Sequence, residues 1–418
     1  MASARAVPLT LDVLVVGAGP AGAATALALA PHCRVGLAGR AVPCGPRIGE
    51  SLPAAARTLL ADLGLWDAFK AQGHRPAWSR VSLWGGPDES CHDAVFDPHG
   101  PGWHLDRARF DALLRQQAVL RGAVGLYPSE LRDMHRASVG ANRWRCLLQT
   151  PDGPREVLCR LLVDATGRAA RLVRQAGGDI VRMDRLVCLH AWLPPHPQGP
   201  AARPGTTLIE ADADGWWYSA DLPSGGSVLA WHTDSDLPEA RACGNAQALI
   251  ARALQTQLIR ERCTGYQQPL ADGPRYEGAG HGGLQLHIAP AHSQRARRAA
   301  GDDWLAVGDA ALAFDPLASQ GLMNGLYMGL AAAATATRHL AGDAHALPEW
   351  AGHAAHIAGV YRANLARYYA LESRWQGSSF WRRRRPARSE HAEQHEDQDN
   401  AEGNAKKPGN DGHVNLQW

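Results

Sequence analysis

Lysine is nearly absent from this chain of 418 residues and occurs only at Lys70, Lys406 and Lys407. Arginine supplies almost all of the positive charge and balances the acidic residues, so the net charge is only +2. A chain without a strong excess of positive charge has no general attraction for phosphate backbones or anionic lipid surfaces. We therefore expect neither a nucleic-acid partner nor a membrane partner.

Paired cysteines and long apolar runs are also lacking. The eight cysteines are scattered and none forms a C-x-x-C pair, so we expect no metal site and no thioredoxin-like redox pair. The first residues lack the charged start and apolar run of an export signal. The apolar stretch 13–30 contains three glycines and a proline, which makes it a poor membrane span. These features predict reduced thiols and a cytoplasmic location.

The most informative feature that is present is a glycine-rich turn near the N-terminus. Gly17, Gly19 and Gly22 follow a β-branched apolar run in the spacing G-x-G-x-x-G, and a helix and a second strand are predicted next. In such a β-α-β unit the glycines allow a tight turn and the approach of a pyrophosphate to the free N–H groups of the helix. The second strand usually ends in a ribose-binding acid, but here Gly39 and Arg40 hold that place. We expect Arg40 or backbone groups to substitute for it.

Two later motifs predict further contacts with the same ligand. Asp164 ends a predicted strand in Val-Asp-Ala-Thr-Gly, and Asp309 follows a buried strand in Val-Gly-Asp-Ala. Asp309 is placed to meet a ribitol or ribose hydroxyl. Residues Pro316–Leu322 then lead into a long predicted helix, whose first N–H groups would stabilise negative charge on the pyrimidine end of a flavin.

Together these three segments resemble the FAD fingerprint, the DG motif and the GD motif of class A flavoprotein monooxygenases and flavin-dependent halogenases. The resemblance covers residues 11–375. It implies an α/β fold in which a glutathione-reductase-like FAD-binding Rossmann domain carries an inserted antiparallel β-sheet substrate domain. The FAD contacts that it implies are Gly17, Gly19, Gly22, Arg40, Arg47, Arg107, Asp164, Gly308, Asp309, Pro316, Gly321 and Leu322.

The pattern of predicted elements divides the chain. We expect a discontinuous FAD-binding domain at 1–180 and 265–345, with the substrate-domain sheet and helix at 181–264. Residues 346–382 are predicted to form a C-terminal helical segment. Residues 383–418 are polar and nearly free of apolar side chains, a composition typical of disorder.

The halogenase-like branch of these flavoproteins gives the better match. Pro46–Ser51 and Gly215–Tyr218 resemble segments of that branch, but two features of the halogenases proper are missing. The strand 78–84, where a buried lysine is expected, contains Ser79 and Arg80, and the W-x-W-x-I-P segment is replaced by Trp-Trp-Tyr-Ser-Ala-Asp. Because an arginine does not reproduce the chemistry of a lysine amine, halogenation is disfavoured.

A narrower resemblance is to the maturation flavoproteins that modify a tryptophan of a partner polypeptide to build a tryptophylquinone cofactor. It rests on the segments just named, on 315–321 and on Phe380–Arg383. It implies an FAD-dependent monooxygenase that hydroxylates an indole ring through a flavin hydroperoxide, with O2 as co-substrate. NAD(P)H or a separate flavin reductase would supply electrons. A hydroxylase of small aromatic metabolites, a halogenase and a non-catalytic flavin-binding maturation chaperone remain alternatives.

Candidate residues on the substrate side come from the predicted second sheet and from the strand before Arg107. Glu210 and His104 are candidates for a general base that removes an indole or phenol proton. Trp217 and His232 are candidates for substrate contacts. The Arg382–Arg385 cluster predicts either a solvated helix end or a docking site for an acidic partner.

Overall fold

The computed structural model describes residues 7–41, 45–196, 203–266 and 284–385, without the side chains of 138 and 139. The predicted disorder of 383–418 therefore lies mostly outside the described residues. None of the helices in the described part of the chain has the length and apolar character needed to cross a membrane. The chain has a mixed α/β fold, which confirms the predicted class.

A mainly parallel sheet forms the first layer. In the described residues its core runs in the order β19-β20-β11-β1-β2-β8, with β10 and β9 continuing from β11. Its strands are β1 (Leu9–Val16), β2 (Val35–Ala38), β8 (Val124–Leu126), β9 (Glu130–Val139), β10 (Asn142–Thr150), β11 (Gly153–Asp164), β19 (Ala300–Gly301) and β20 (Trp304–Ala306). The core strands are apolar on both faces because helices cover both sides of the sheet.

A second sheet is antiparallel except where β14 runs parallel to β5. Its order is β17-β13-β16-β15-β14-β5-β6. The strands are β5 (Ser79–Leu83), β6 (Ser90–Asp93), β13 (Leu186–Leu193), β14 (Thr206–Asp212), β15 (Gly215–Asp221), β16 (Ser227–Asp234) and β17 (His287–Pro290). Three of these strands, β5, β6 and β17, lie outside the predicted range 181–264. They were not assigned to this sheet from the sequence, because pairing between distant segments leaves no local sequence signal. The sheet is thus wider than the sequence-based boundaries.

Two small sheets connect these layers, and eleven helices are described. The small sheets contain β3 (Ser51–Leu52), β4 (Arg75–Ala77) and β7 (Gly102–His104), and β12 (Ile180–Arg182), β18 (Gln294–Ala296) and β21 (Leu312–Ala313). The helices are α1 (Pro20–Leu29), α2 (Ala56–Asp62), α3 (Trp66–Ala71), α4 (Arg107–Leu120), α5 (Arg171–Gln175), α6 (Pro238–Ala242), α7 (Ala246–Ala253), α8 (Arg260–Cys263), α9 (Gly321–Leu340), α10 (Ala346–Leu371) and α11 (Ser379–Arg382).

The two faces of the second sheet have different neighbours. Its outer face packs on the apolar side chains of α7 and α8. Its inner face packs on Ile48 and Leu317, and on Tyr369, Phe380 and Trp381 from the C-terminal segment. Because Leu317 lies directly before α9, the inner face is the one turned toward the predicted flavin site.

The arginines after α11 fasten the C-terminal segment to the sheet. Arg384 is nearly buried, and its Nη2 lies 2.7 Å from Oδ1 of the buried Asp234. Arg383 bridges Asp234 and Asp236. These two side chains are already neutralised within the fold, so a docking role for them is not supported.

Candidate active site

The glycine-rich turn has the shape that a pyrophosphate requires. Gly17 has a φ of +118°, and a Cβ there would lie 2.0 Å from the Ala165 carbonyl oxygen. A Cβ on Gly22 would lie 1.9 Å from the Gly17 oxygen. A Cβ on Gly19, the N-cap of α1, would meet nothing within 4 Å. The first and third glycines thus bring the strand and helix together, while the second leaves the approach to the helix N-terminus open.

The missing ribose-binding acid has a steric explanation. A Cβ on Gly39 would lie 2.6 Å from the Ala18 Cβ and 2.8 Å from the Ala18 backbone nitrogen. No side chain fits at this position, so an acid is excluded there. Arg40 is exposed beside the sheet, and it contributes to the lowered pKa of Glu130, whose main cause is the hydrogen bond from Arg171.

Arginines converge on the groove beside this turn. Arg107 donates to the carbonyl oxygens of Ile48 and Gly49, at 3.1 and 2.8 Å. Arg47 and Arg107 both contact the buried Asp111, with Arg47 at 2.9 Å. Asp111 belongs to no recognisable sequence motif; it lies one helical turn after Arg107 and orients both guanidinium groups.

Asp164 lies behind the turn and not in the groove. Its side chain is fully buried. It accepts hydrogen bonds from the Thr166 N–H and hydroxyl, at 2.9 and 2.7 Å, and from the Val173 N–H at 3.0 Å. The expected direct contact with FAD is therefore revised, because this carboxyl group shapes the turn that follows β11. Burial raises the pKa of Asp164.

The third motif lines the opposite side of the groove. Gly308 has a φ of +55°, and a Cβ there would lie 2.7 Å from the Ala21 Cβ. The Asp309 side chain is 41% exposed and lies 3.7 Å from Nε of Arg168. Arg168 also donates to the Phe314 carbonyl oxygen at 3.0 Å and so ties the second motif to the third. Sequence reasoning missed this arginine, although it directly follows Gly167.

The N-terminus of α9 forms the floor of the site. Pro316 begins a short 3-10 turn, Leu322 is half-buried in the first turn of α9, and a Cβ on Gly321 would meet nothing within 4 Å. No side chain caps this helix, so its first N–H groups are available to a ligand. The open glycines, the arginines and the helix N-termini together suit an FAD molecule.

Glu210 and Trp217 do not face this site, so both predictions need correction. They are register partners on the outer face of the second sheet. The Glu210 carboxylate accepts hydrogen bonds from three backbone N–H groups, those of 257, 258 and 259, at 2.8, 2.8 and 2.9 Å. Trp217 is fully buried and donates to Asp212 at 2.8 Å. Both residues stabilise the contact between the sheet and its outer helices.

His232 and His104 are on the expected side but are enclosed. The His232 ring stacks on Trp216 with centroids 3.7 Å apart, and its burial lowers its pKa to about 3. The His104 Nε2 pairs with the Thr207 hydroxyl at 2.8 Å, and burial lowers its pKa to about 4. Both imidazoles are neutral near pH 7. His232 packs in the core, so a substrate contact by its side chain is not supported. The Nδ1 atoms of both histidines are buried without a hydrogen-bond partner.

A carboxyl group that the sequence analysis did not select lies under the inner face. Glu50 is 1% exposed, and neither of its carboxyl oxygens has a hydrogen-bond partner. The hydroxyl of Tyr218, from β15, is close enough to affect its pKa but does not reach good hydrogen-bond geometry. The local sequence Gly-Glu-Ser, which leads into the short strand β3, gives no sign of this burial.

Comparison with known proteins identifies the family. Residues 87–411 match the model of the tryptophan halogenase family. The chain belongs to this family. LodB of Marinomonas mediterranea, named as an FAD-dependent oxidoreductase, is 32% identical over 378 residues, which are 89% of this chain and 96% of LodB.

Two solved structures extend the comparison. The myxobacterial chondrochloren halogenase CndH, an FAD-dependent halogenase, superposes with a TM-score of 0.80 at 26% identity, over 92% of this chain and 87% of CndH. The peptidyl tryptophan dihydroxylase QhpG, described as essential for tryptophylquinone cofactor biogenesis, gives 0.70 at 25% identity, over 90% of this chain and 78% of QhpG. The protein is thus a flavoenzyme of the FAD-dependent halogenase family.

Proposed function

We propose that this protein is an FAD-dependent monooxygenase that hydroxylates the indole ring of a tryptophan in a partner polypeptide, during the biogenesis of a tryptophylquinone cofactor. The observation that carries the proposal is the position of lysine. Lys70, the single lysine among the described residues, lies on α3, is 55% exposed and pairs with Asp67 at 2.9 Å. The strand β5, where the resemblance to halogenases expects a buried lysine, presents Arg80 instead.

The likeness to QhpG supports the choice of substrate. That protein acts on a peptidyl tryptophan, and the inner face of the second sheet of this chain carries several aromatic side chains. A second candidate function is halogenation, which the family match and the CndH structure favour. A hydroxylase of small aromatics is a third possibility with the same cofactor.

The residues of the groove have separable tasks in the proposed reaction. When bound and reduced, FAD together with O2 supplies the oxygen atom. The N–H groups at the start of α1 would bind the pyrophosphate, with Arg47 and Arg107 alongside it, and Asp309 would meet a ribose or ribitol hydroxyl. The start of α9 would stabilise negative charge on the flavin ring. The inner face of the second sheet would exclude water from the reacting atoms.

Asp315 fixes the turn that leads into α9. Its carboxyl oxygens accept hydrogen bonds from the Leu317 N–H at 2.9 Å and from the Tyr369 hydroxyl at 2.8 Å. Burial raises the pKa of Asp315 to about 7, with a smaller contribution from Asp184. This contact couples the flavin side of the groove to α10.

Product analysis separates the candidate functions. FAD-loaded, reduced protein is mixed with air, with and without chloride or bromide, and offered a single-tryptophan peptide, free indole and free phenol. We expect one or two added oxygen atoms on the peptide alone. Oxygen on the free aromatics would indicate a small-molecule hydroxylase, and halogen on any substrate would contradict the lysine argument.

Parallel reactions identify the electron donor. NADH, NADPH and dithionite are supplied alone, and NADH is also supplied with an added flavin reductase. Reduction by NAD(P)H alone would show that the protein takes electrons directly, whereas a requirement for the reductase would identify a second partner. A maturation chaperone without catalysis would give no product with any donor. The expected cytoplasmic location remains a prediction.

A further inference from the structure

Arg115, on α4, is a buried arginine without an acidic partner. Two arginines are buried among the residues that the structure describes, Arg262 at 2% exposed and Arg115 at 8%. Arg262 pairs with the carboxylate of Asp221. Arg115 forms no ion pair within the described ranges, and its one hydrogen bond there, from Nη1 to the carbonyl oxygen of Ala18, is long at 3.4 Å. A buried charge without a counter-charge is costly, so we expect Arg115 to serve a ligand.

The helix α4 directs Arg115 at the glycine-rich turn. Arg107, Asp111 and Arg115 follow one another at intervals of four residues, so they lie on one face of α4. This helix packs against α1, and Ala18, which accepts the hydrogen bond from Arg115, lies in the middle of the turn that begins α1. Arg115 therefore belongs to the same groove as Arg107.

The guanidinium group of Arg115 is open to a ligand. Its Nε and Nη2 lack partners in the described part of the chain, but unlike Nε of Arg252 and Nε of Arg262 they are not enclosed. The space above the turn is also open, because a Cβ on Gly19 would meet nothing within 4 Å. An anion bound by the first N–H groups of α1 would lie beside Ala18, and hence beside the free donors of Arg115.

The charges around the groove favour a phosphate group as that anion. Arg47 and Arg107 share the carboxylate of Asp111, which can balance only one of their two charges. With Arg115 added, this side of the groove carries an excess of positive charge. Guanidinium groups beside a helix N-terminus form charge-assisted hydrogen bonds with phosphate oxygens.

The missing ribose-binding acid gives Arg115 a second significance. A side chain at Gly39 would collide with Ala18, the same residue that Arg115 contacts on its carbonyl side. The adenosine half of a dinucleotide therefore lacks the anchor that an acid at this position usually provides. An arginine at the same turn can compensate by binding the phosphate next to the ribose.

We propose that Arg115 binds the pyrophosphate of FAD and anchors the adenosine half of the cofactor in place of the missing acid. The phosphate supplies the counter-charge that Arg115 lacks within the protein. This inference goes beyond the proposed hydroxylation, because it concerns the cofactor and holds for any reaction that bound FAD supports. Because FAD would neutralise a buried charge, Arg115 should also link FAD binding to the stability of the fold.

The variant Arg115→Met tests the contact through binding and stability. It removes the charge and keeps an unbranched apolar chain. The dissociation constant for FAD, measured by titration of flavin fluorescence, should rise by about 10- to 100-fold, because a charge-assisted hydrogen bond is lost. The denaturation midpoint of the protein prepared without FAD should stay the same or rise, because an apolar side chain replaces an unpaired buried charge.

Arg121→Met is the matched control. Arg121 follows the same helix and also donates one hydrogen bond of 3.4 Å, to the carbonyl oxygen of Gly64, but it is exposed. Its replacement should change the dissociation constant for FAD by less than about threefold. A purely structural Arg115 predicts the opposite pattern, with a lower midpoint without FAD and little change in FAD affinity. A rise of less than tenfold for Arg115→Met overturns the inference, whatever the midpoint.

Phosphorus NMR tests whether the contact is made to phosphate. Arg115→Lys keeps the charge but not the planar guanidinium group, so it should still bind FAD when the cofactor is in excess. At least one phosphorus resonance of bound FAD should shift relative to the unmodified protein, and neither should shift in Arg121→Lys. Unchanged resonances in Arg115→Lys overturn the inference, and this variant keeps the test decisive if Arg115→Met does not fold.

Neither experiment requires turnover, so the inference and the proposed function can fail separately. A protein that binds FAD through Arg115 but oxygenates no indole would contradict the proposed function and leave the inference intact. A protein that oxygenates indole while Arg115→Met retains its FAD affinity would contradict the inference alone.

Discussion

The Glu210 carboxylate should be a structural group, and this can be tested by replacing it. Its Oε2 accepts the N–H groups of Leu258 and Ile259, and its Oε1 accepts that of Gln257. In Glu210→Ala all three N–H donors lose their acceptor, and those of Leu258 and Ile259 are buried. A charge-assisted hydrogen bond contributes about 1.5–3 kcal/mol, and such losses add incompletely. We expect a loss of about 3–6 kcal/mol in the free energy of unfolding.

Glu210→Gln gives a graded version of the same experiment. In the best placement, the amide oxygen still accepts the N–H groups of Leu258 and Ile259, and the NH2 group faces the N–H of Gln257. One hydrogen bond is therefore lost. The expected cost is about 1.5–3 kcal/mol. Glu349→Gln is the control, because Glu349 is 59% exposed and its pair with Arg338 is a surface contact. It should cost less than about 1 kcal/mol.

Denaturant unfolding measures the stability of these variants, and oxygen insertion per FAD measures their activity. A structural Glu210 predicts a lower unfolding midpoint for Glu210→Gln and unchanged turnover at a temperature where the variant is folded. The reasoning is refuted if Glu210→Gln is as stable as the unmodified protein but loses turnover together with one limb of its pH profile. That result would restore Glu210 as a general base.

Three further predictions follow from the groove and its supports. Gly19→Val should weaken FAD binding at least tenfold, as measured by titration, and should change the stability of the FAD-free protein little. Gly22→Val should prevent folding, because its Cβ would lie 1.9 Å from a backbone oxygen. Burial raises the pKa of Asp315 from 3.8 to about 7, so the folded state holds the proton of this carboxyl group more tightly than the unfolded state does. The free energy of unfolding should therefore fall as the pH rises from about 4 to about 7. Asp315→Asn should remove this pH dependence from the melting temperature. Arg384→Met should cost about 1.5–3 kcal/mol, because the buried Asp234 loses its charge-assisted hydrogen bond from Arg384 and keeps only its contact with Arg383, while the exposed Arg382→Met should cost little.

The FAD half of the fold could be predicted because its signals are local. The glycine spacing at 17–22 and the apolar strand before it lie within one β-α-β unit, and the observed β1 and α1 confirm the prediction. The Pro-Asp-Gly turn at 151–153 is likewise a local hairpin signal, and β10 and β11 pair across it. Each of these elements is specified by residues that are neighbours in sequence.

The substrate side could not be predicted in the same way. Which face of β14 and β15 meets the flavin depends on pairing with β5, more than a hundred residues earlier. Glu210 and Trp217 were predicted to face the substrate, but alternation within a strand does not show which of its two faces is inward. Glu50 carries no local sign of burial, because its enclosure results from Tyr218 and the rest of the distant sheet.

The central claim is tested most directly with isotopically heavy O2. Reduced, FAD-loaded protein is incubated under this gas with an extract of the cells from which the protein comes, and the digested polypeptides and small molecules are analysed by mass spectrometry. The same protein prepared without FAD serves as the control. We predict heavy oxygen on tryptophan residues of one polypeptide, absent from the control. Heavy oxygen confined to small aromatics, or halogenated products in its place, would contradict the account.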